Sequence, residues 1–140
     1  MPGTAKREFA AILAEFHRHH VDLIIVGGIA AVLEGVPVHT LDLDIVPSGE
    51  ADNMDRLRRA VDSLDAARPA LPLDIHAAIG RSRGYDDLLP HTNDLEVGEG
   101  LRVRVLDLET LIAVKEEVAA ERDLAVLPIM RRTLEEKRRL

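Results

Sequence analysis

Two closely spaced aspartates and a pair of adjacent glycines are the residues of this chain whose types and spacing best suit chemistry. Gly27 and Gly28 follow an apolar run, Leu23 to Val26, and Asp42 and Asp44 come shortly afterwards. A strand that runs into glycines and turns into a helix presents unpaired backbone N–H groups, and the positive end of the helix dipole, to whatever lies beyond it. The glycines therefore predict an anion site.

The aspartates predict a metal site next to that anion site. If Leu41 to Val46 is a strand, Asp42 and Asp44 leave it on one face and the apolar residues between them leave it on the other. Two carboxylates on one face suit a hard divalent cation such as magnesium. An anion site beside a metal site is what an enzyme needs to transfer a nucleotidyl or phosphoryl group. Each feature alone also has a simpler interpretation, a glycine turn without a ligand and a chance Asp-x-Asp pair.

The composition indicates one domain, residues 1–140, with an aliphatic core. The chain is 46% hydrophobic and 31% charged, with two Phe, one Tyr and no Trp, so stacking of bases on aromatic rings is not expected. The absence of cysteine excludes disulfides, thiol catalysis and cysteine zinc sites. The first residues carry frequent charges and no long apolar stretch, so we expect no signal peptide, no membrane span and a cytoplasmic location.

The net charge of −7 weighs against nonspecific binding to a polyanion, but the charge is unevenly distributed. Residues 131–140, RRTLEEKRRL, are rich in Arg and Lys. These cations either complement the dipole at a helix C-terminus or form a small basic surface that contacts a nucleic-acid substrate.

The apolar periodicity of the N-terminal half predicts alternating helices and strands. These are a helix from Ala5 to His20, a strand from Leu23 to Val26, a helix from Ile29 to Glu34, the strand with the aspartates, a helix from Asn53 to Leu64 and a strand from Leu73 to His76. His17 and His20 lie one turn apart and could bind a metal, but no third ligand is visible, and polar residues at a helix end explain them better. Asp74 faces away from its apolar neighbours, together with His76, either in a site or towards solvent at a sheet edge.

The C-terminal half is predicted to be a loop followed by a strand and two helices. Residues 77–94 are rich in Gly, Arg, Asp and Pro and predict the loop. The later elements are a strand from Leu101 to Val105, a helix from Leu108 to Val118 capped by Asp107, and a helix from about Arg122 to Arg139 that Pro128 kinks or breaks. In the first helix Leu111, Ile112, Val114 and Val118 form the buried stripe, and Lys115 sits at its edge.

Four segments in this order resemble the DNA polymerase β-type nucleotidyltransferase superfamily in its minimal bacterial forms. They are IIVGGIAAVLEG, TLDLDIV, LDIH and ETLIAVKEEVAAERDLAVL, and they cover most of the chain. The last segment is similar to the nucleotidyltransferases of abortive-infection and toxin–antitoxin systems. The resemblance implies an α/β (α+β) fold, a small mixed β-sheet with packed helices, in which the last two helices close one side.

The resemblance also assigns roles to the glycines and aspartates. Gly27 and Gly28 match the residues whose backbone holds the nucleoside triphosphate. Asp42, Asp44 and Asp74 match the catalytic metal triad for Mg²⁺ or Mn²⁺. The first two would bridge the metals and the nucleotide phosphates, and the third would hold the metal that activates the acceptor hydroxyl.

Three further residues are implied around the triphosphate. Thr40 matches a supporting hydroxyl, Lys115 would neutralise triphosphate charge, and Asp123 would orient Lys115 or bind nucleotide. We therefore expect Lys115 to reach the aspartate cluster, the alternative being a surface lysine that pairs with a nearby glutamate. Many relatives carry an Arg where this chain has Val38, which implies a weaker phosphate grip or a changed role for His39.

The function implied is metal-dependent transfer of a nucleoside monophosphate from a nucleoside triphosphate to a hydroxyl acceptor, with release of pyrophosphate. The acceptor is left open between a protein, a tRNA end and a small molecule, because the fold fixes the chemistry and the loops fix the acceptor. The alternatives are a noncatalytic toxin–antitoxin component with a cognate partner, a degenerate nucleotide-binding protein, and a structural domain with solvated acids. No membrane partner is expected.

Overall fold

The computed structural model describes residues 3–67, 71–98, 100–118 and 124–140. Helices and strands alternate through its N-terminal half as the sequence predicted, and the mixture of the two confirms the α/β (α+β) class. In chain order they are α1 (Gly3–Arg18), β1 (Leu23–Val26), α2 (Gly27–Leu33), β2 (Leu43–Pro47), α3 (Ala51–Ala67), β3 (Leu73–Ile75), α4 (Tyr85–Leu88), a 3₁₀ turn (Leu89–His91), β4 (Thr92–Val97), β5 (Leu101–Leu106), α5 (Leu108–Glu117) and α6 (Leu127–Arg138).

The five strands form one mixed sheet in the order β3-β2-β1-β5-β4. The central strand β1 is antiparallel to β2 and parallel to β5. On the outside, β3 runs parallel to β2, and β4 runs antiparallel to β5. The sheet is therefore small and mixed, as the sequence predicted.

Helices cover both faces of the centre of this sheet. Ile24 and Ile25 are consecutive in β1 and so point to opposite faces, yet neither side chain is exposed. Helix α1 packs against α3, while α2 packs against β2 and α5, and α5 packs against α6. One cluster of aliphatic residues with Phe9 and Phe16 makes up the core.

Strand β2 begins at Leu43, so the predicted start at Leu41 is wrong. Leu41 is 81% exposed, and pairing with β3 begins where the Leu43 N–H donates to the Pro72 carbonyl at 2.7 Å. On the other side, β1 ends at Val26, whose partner is Asp44. The residues before Leu43 consequently have no β1 residue beside them, and Asp42 lies outside the strand that was to place it beside Asp44.

The predicted loop at 77–94 is also wrong over much of its length. It contains α4, the 3₁₀ turn and the start of β4, and Ile79 and Arg83 form an isolated antiparallel bridge. Strand β4 pairs with β5 from Thr92 to Val97, and only part of one face is sheltered, with Leu95 half-buried. Edge strands of this kind are short and polar, so their composition is close to that of a loop.

Several helix ends differ from prediction, while the break at Pro128 agrees. Helix α1 ends at Arg18 rather than His20, and α3 runs from Ala51 to Ala67 rather than from Asn53 to Leu64. Helix α5 ends at Glu117, and Val118 is 54% exposed, so it does not belong to the buried stripe. Helix α2 begins at Gly27, before the predicted start at Ile29. Pro128 lies in the first turn of α6 and so marks a break, as expected of a residue without an N–H. No helix in the described part of the chain is long and apolar enough to cross a membrane.

Candidate functional site

Asp44 projects from β2 at the point where β1 ends and α2 begins. Its register partner is Val26, and the next residue along the chain, Gly27, starts the helix. A Cβ on Gly27 would lie 2.6 Å from Asp44 Oδ2, and Gly27 has a φ of +67°. Glycine is therefore required twice over, for its backbone conformation and for the close approach of the carboxylate.

Gly28 and Thr40 form a second close contact beside Asp44. A Cβ on Gly28 would meet Thr40 Oγ1 at 2.7 Å and Thr40 Cβ at 2.9 Å. The Thr40 hydroxyl also donates to the backbone carbonyl of Asp42 at 3.3 Å. The space that a side chain at Gly28 would occupy is thus filled by Thr40, and the connection between α2 and β2 is held against the start of the helix.

Asp74 lies next to Asp44 in the sheet. The two residues are register partners on the parallel strands β2 and β3, so their side chains share a face of the sheet. Asp42 is exposed and precedes the strand. Among the residues described, no three His, Asp or Glu side chains converge closely enough to form a complete metal site. Magnesium commonly takes only one or two carboxylates, with substrate phosphates and water completing its shell, so Asp44 and Asp74 are the residues that could hold it.

His76 contacts Asp44 directly, which the sequence did not predict. The His76 Nε2 and Asp44 Oδ1 atoms are 2.9 Å apart. The sequence predicted that His76 and Asp74 share a face of their strand. That two-residue spacing was the signal for this contact, because residues on one face of a strand lie beside the residues on the same face of the neighbouring strand.

A cavity of about 360 Å³ opens in front of Asp44, within the size range of small-ligand sites. Its polar lining comes from Asp44, His76 and Lys115, with the Gly27 and Gly80 backbone. The remaining lining is apolar, from Val26, Ala78, Ile79, Leu111, Val114 and Val118. The structure thus places Lys115, half-buried on α5, and Asp44 on the walls of one cavity, while Asp42, Asp74 and Thr40 lie outside its lining.

The segment that forms the outer wall of this cavity is fastened to the end of α5. Glu117 Oε1 accepts from the Arg81 N–H at 3.1 Å, and Glu117 Oε2 accepts from the Arg83 guanidinium. These interactions, first the Arg81 N–H and then Arg83, hold the pKa of Glu117 below its ordinary value of 4.5. Gly80 has a φ of +60°, and a Cβ there would lie 2.6 Å from Glu117 Oε1. A side chain at Gly80 would therefore displace the carboxylate that holds the segment.

Asp123, predicted to orient Lys115 or bind nucleotide, lies outside the described residues. The predicted helix start at about Arg122 also lies outside them.

Comparison of the chain with protein-family models, with curated proteins and with solved structures finds no match in any of the three. The site combines a carboxylate pair on one sheet face, a lysine in the lining of the same cavity as Asp44, and the start of α2, which has no side-chain cap.

Proposed function

We propose that this protein is a metal-dependent nucleotidyltransferase, which moves a nucleoside monophosphate from a nucleoside triphosphate to a hydroxyl acceptor. The observation that supports this best is that Asp44 and Lys115 line one cavity, with the Gly27 backbone against the carboxylate. A cation and a metal-binding anion on the walls of one cavity suit a ligand that brings both phosphate charge and a divalent ion.

In the proposed reaction the acceptor oxygen forms a bond to the α-phosphorus, and the bond from that phosphorus to the oxygen of the β-phosphate breaks. Pyrophosphate leaves with the bonding electrons. A bound Mg²⁺ or Mn²⁺ would supply charge stabilisation to the phosphates, held by Asp44 and Asp74. Lys115 would pair with the triphosphate, and the N–H groups at the start of α2 would face its oxygens.

The apolar part of the cavity supports a nucleotide rather than a free phosphate as the ligand. Ile79 and Val114 line it on two different segments, one before α4 and one on α5. A base or sugar that enters between them would bury apolar surface, while the charged groups orient the phosphates. The triphosphate would therefore lie towards Asp44 and Lys115, and the nucleoside between Ile79 and Val114.

Binding and transfer are tested in two steps. Isothermal titration of each nucleoside triphosphate with magnesium should show binding that Lys115→Ala weakens. Incubation with each α-labelled triphosphate and a cell extract should then transfer label to an acceptor and release pyrophosphate. The matched control is Asp65→Asn, which removes a carboxylate from the exposed part of α3. Parent activity in Asp44→Asn, with Asp65→Asn also active, would refute the proposal.

A noncatalytic nucleotide-binding protein is the second candidate, and one observation favours it. Asp44 Oδ1 is already engaged by His76, and Asp42 lies before the strand that was predicted to align it. Such a protein would bind triphosphate in the titration but release no pyrophosphate with any extract. A toxin–antitoxin component that acts through a cognate partner would behave in this way.

A further inference from the structure

A second cavity of about 700 Å³ adjoins the first one, and the two meet at His76, which lines both. The second cavity lies between the end of β3 and the start of α4, with Met54 of α3 and Pro47 at its base. We call it the β3–α4 groove. Pro47 and Ile75 point to the face of the sheet opposite Asp44 and Asp74, so a molecule in this groove would reach the triphosphate cavity around the end of β3, where His76 lies.

The floor of the β3–α4 groove is apolar and exposed. Met54 and Ile75 line it, and they are 41% and 44% exposed although most large apolar side chains of the described chain are buried or half-buried. Ala77 is exposed beside them. Apolar side chains that line an open cavity and are left uncovered by the fold suit a bound partner.

The rim of the groove is negatively charged. Asp86 and Asp87 line its far side, and Tyr85, which also lines it, is under the charges of three carboxylates, Asp22, Asp86 and Glu50, against the one cation of Arg104. Asp87 Oδ2 accepts from the Gly84 N–H, whereas Asp86 has no hydrogen-bond or ion-pair partner in the described part of the chain. Burial, and next the charge of Asp22, raise the pKa of Tyr85. The groove therefore favours a cation over a phosphate.

The strand beside the groove can pair with an extended chain. Strand β3 stands at the end of the strand order, and its pairing within the described residues is with β2 alone. An edge strand offers backbone donors and acceptors to a peptide that lies alongside it. An apolar floor, an acidic rim and an open strand edge together fit an extended peptide with basic side chains.

We propose that the β3–α4 groove is the acceptor site of the transferase and that the acceptor is a basic peptide segment carrying a Ser, Thr or Tyr hydroxyl. This inference rests on the proposed function. The peptide oxygen bonds to the α-phosphorus, the bond to the β-phosphate oxygen breaks, pyrophosphate leaves, and the hydroxyl proton passes to solvent. A tRNA end is disfavoured because its phosphates would meet both the acidic rim and a net charge of −7.

Peptide binding is measured separately from transfer. The probes are a fluorescent synthetic peptide with one Ser among Lys and Arg residues, the same peptide with Glu and Asp in their place, and an RNA oligonucleotide of equal length. The basic peptide should bind at least about tenfold more tightly than the other two at low salt, and the difference should shrink as salt is raised.

Variants locate that binding in the groove. Asp86→Asn should weaken binding of the basic peptide about threefold, and Asp86→Lys about tenfold, because the second change reverses the charge. Asp65→Asn removes an equal charge from α3, about three helical turns after Met54 and outside the groove lining, and should leave binding unchanged. Equal effects of Asp86→Lys and Asp65→Lys would overturn the site, since the binding would then follow net charge alone.

The transfer experiment separates failure of this inference from failure of the proposed function. Label transferred from an α-labelled triphosphate to the basic peptide supports both. Label on the RNA or the acidic peptide, with the basic peptide unlabelled, overturns the acceptor assignment and leaves the transferase standing. Tight binding of the basic peptide with no transfer from any of the four triphosphates overturns the transferase, and the acceptor role with it.

Discussion

A carboxylate lies at each end of α2, and the two differ in burial and in hydrogen bonding. At its start, Asp44 lies against Gly27, 23% exposed, with His76 as its hydrogen-bonding partner in the described chain. At its end, Glu34 is almost completely buried and surrounded by donors. Asp44 can still accept hydrogen bonds or bind a metal from the cavity, whereas Glu34 accepts its hydrogen bonds from groups inside the fold. The comparison separates a group available to a ligand from a group needed for folding.

Glu34 joins three elements that are distant in sequence. Its Oε1 accepts from Asn93 Nδ2 of β4 at 3.0 Å and from the Leu108 N–H of α5 at 3.2 Å. Lys137 of α6 places Nζ 3.5 Å from the same oxygen and donates to the Glu34 carbonyl at 2.9 Å. A buried carboxylate is tolerated because it is paired and hydrogen-bonded in this way.

The largest effect on activity should come from Asp44, at the start of α2. Asp44→Asn should lower transfer by on the order of a thousandfold, because it removes the charge that binds metal beside the phosphates. The free energy of unfolding in urea should change by less than about 1 kcal/mol, since the side chain is partly solvated. A large loss of stability with activity per folded molecule unchanged would place Asp44 with Glu34 as a structural group.

Glu34→Ala should have the converse phenotype. It leaves the Leu108 N–H, Asn93 and Lys137 without their shared acceptor, and we expect a loss of about 3 kcal/mol in the free energy of unfolding. Transfer per folded molecule should match the parent. Glu34→Gln retains an acceptor oxygen and serves as the control with a smaller loss. If Glu34→Ala is as stable as the parent, the network does not hold the end of α2.

Gly28→Ala tests the packing at the start of the helix. The new Cβ would collide with Thr40, and we expect a loss of about 2 kcal/mol in the free energy of unfolding. In the Thr40→Gly background, Gly28→Ala should cost less free energy of unfolding than it does in the parent, because the side chain that it meets is gone. A double-mutant cycle in urea would measure this difference. Strict additivity of the two changes would show that they do not meet.

Glu117→Gln should have the smallest effect, and its size should depend on pH. The folded-state pKa of Glu117 is lowered from 4.5, so its stabilising contribution is complete above that value and is lost as pH falls through the folded-state pKa. The parent should therefore be more stable than the variant at pH 7, and the difference should shrink in acid below pH 4.5. Thermal unfolding of both proteins from pH 3 to 7 checks this, and a constant difference would contradict it.

Features set by local physics were predictable from the sequence. The strand Leu23–Val26 was predicted with its observed bounds because a short apolar run is bounded by polar residues and glycines. Asp107 caps α5 as predicted, with its Oδ1 accepting from the Thr110 N–H at 2.8 Å. Each of these signals lies within a few residues of the feature that it predicts.

Features set by distant partners were not predictable in the same way. The contact of His76 with Asp44 spans 32 positions, and that of Glu34 with the Leu108 N–H spans 74. Strand β4 was missed because its pairing with β5 outweighs a local composition typical of loops. Asp42 was misplaced because the end of β1, rather than the alternation of β2, determines where the pairing stops.

The parallel pairing of β1 with β5 affects how the chain acquires its structure during synthesis. Ile25 emerges from the ribosome early, but its register partner Val105 is made only after most of the described chain has been translated. Until then one edge of the central strand is open, and a nascent chain of this kind is exposed to pairing with other chains. We therefore expect ribosome-bound chains that end before β5 to be sensitive to protease at β1, and chains long enough for β5 to have left the ribosome to be resistant.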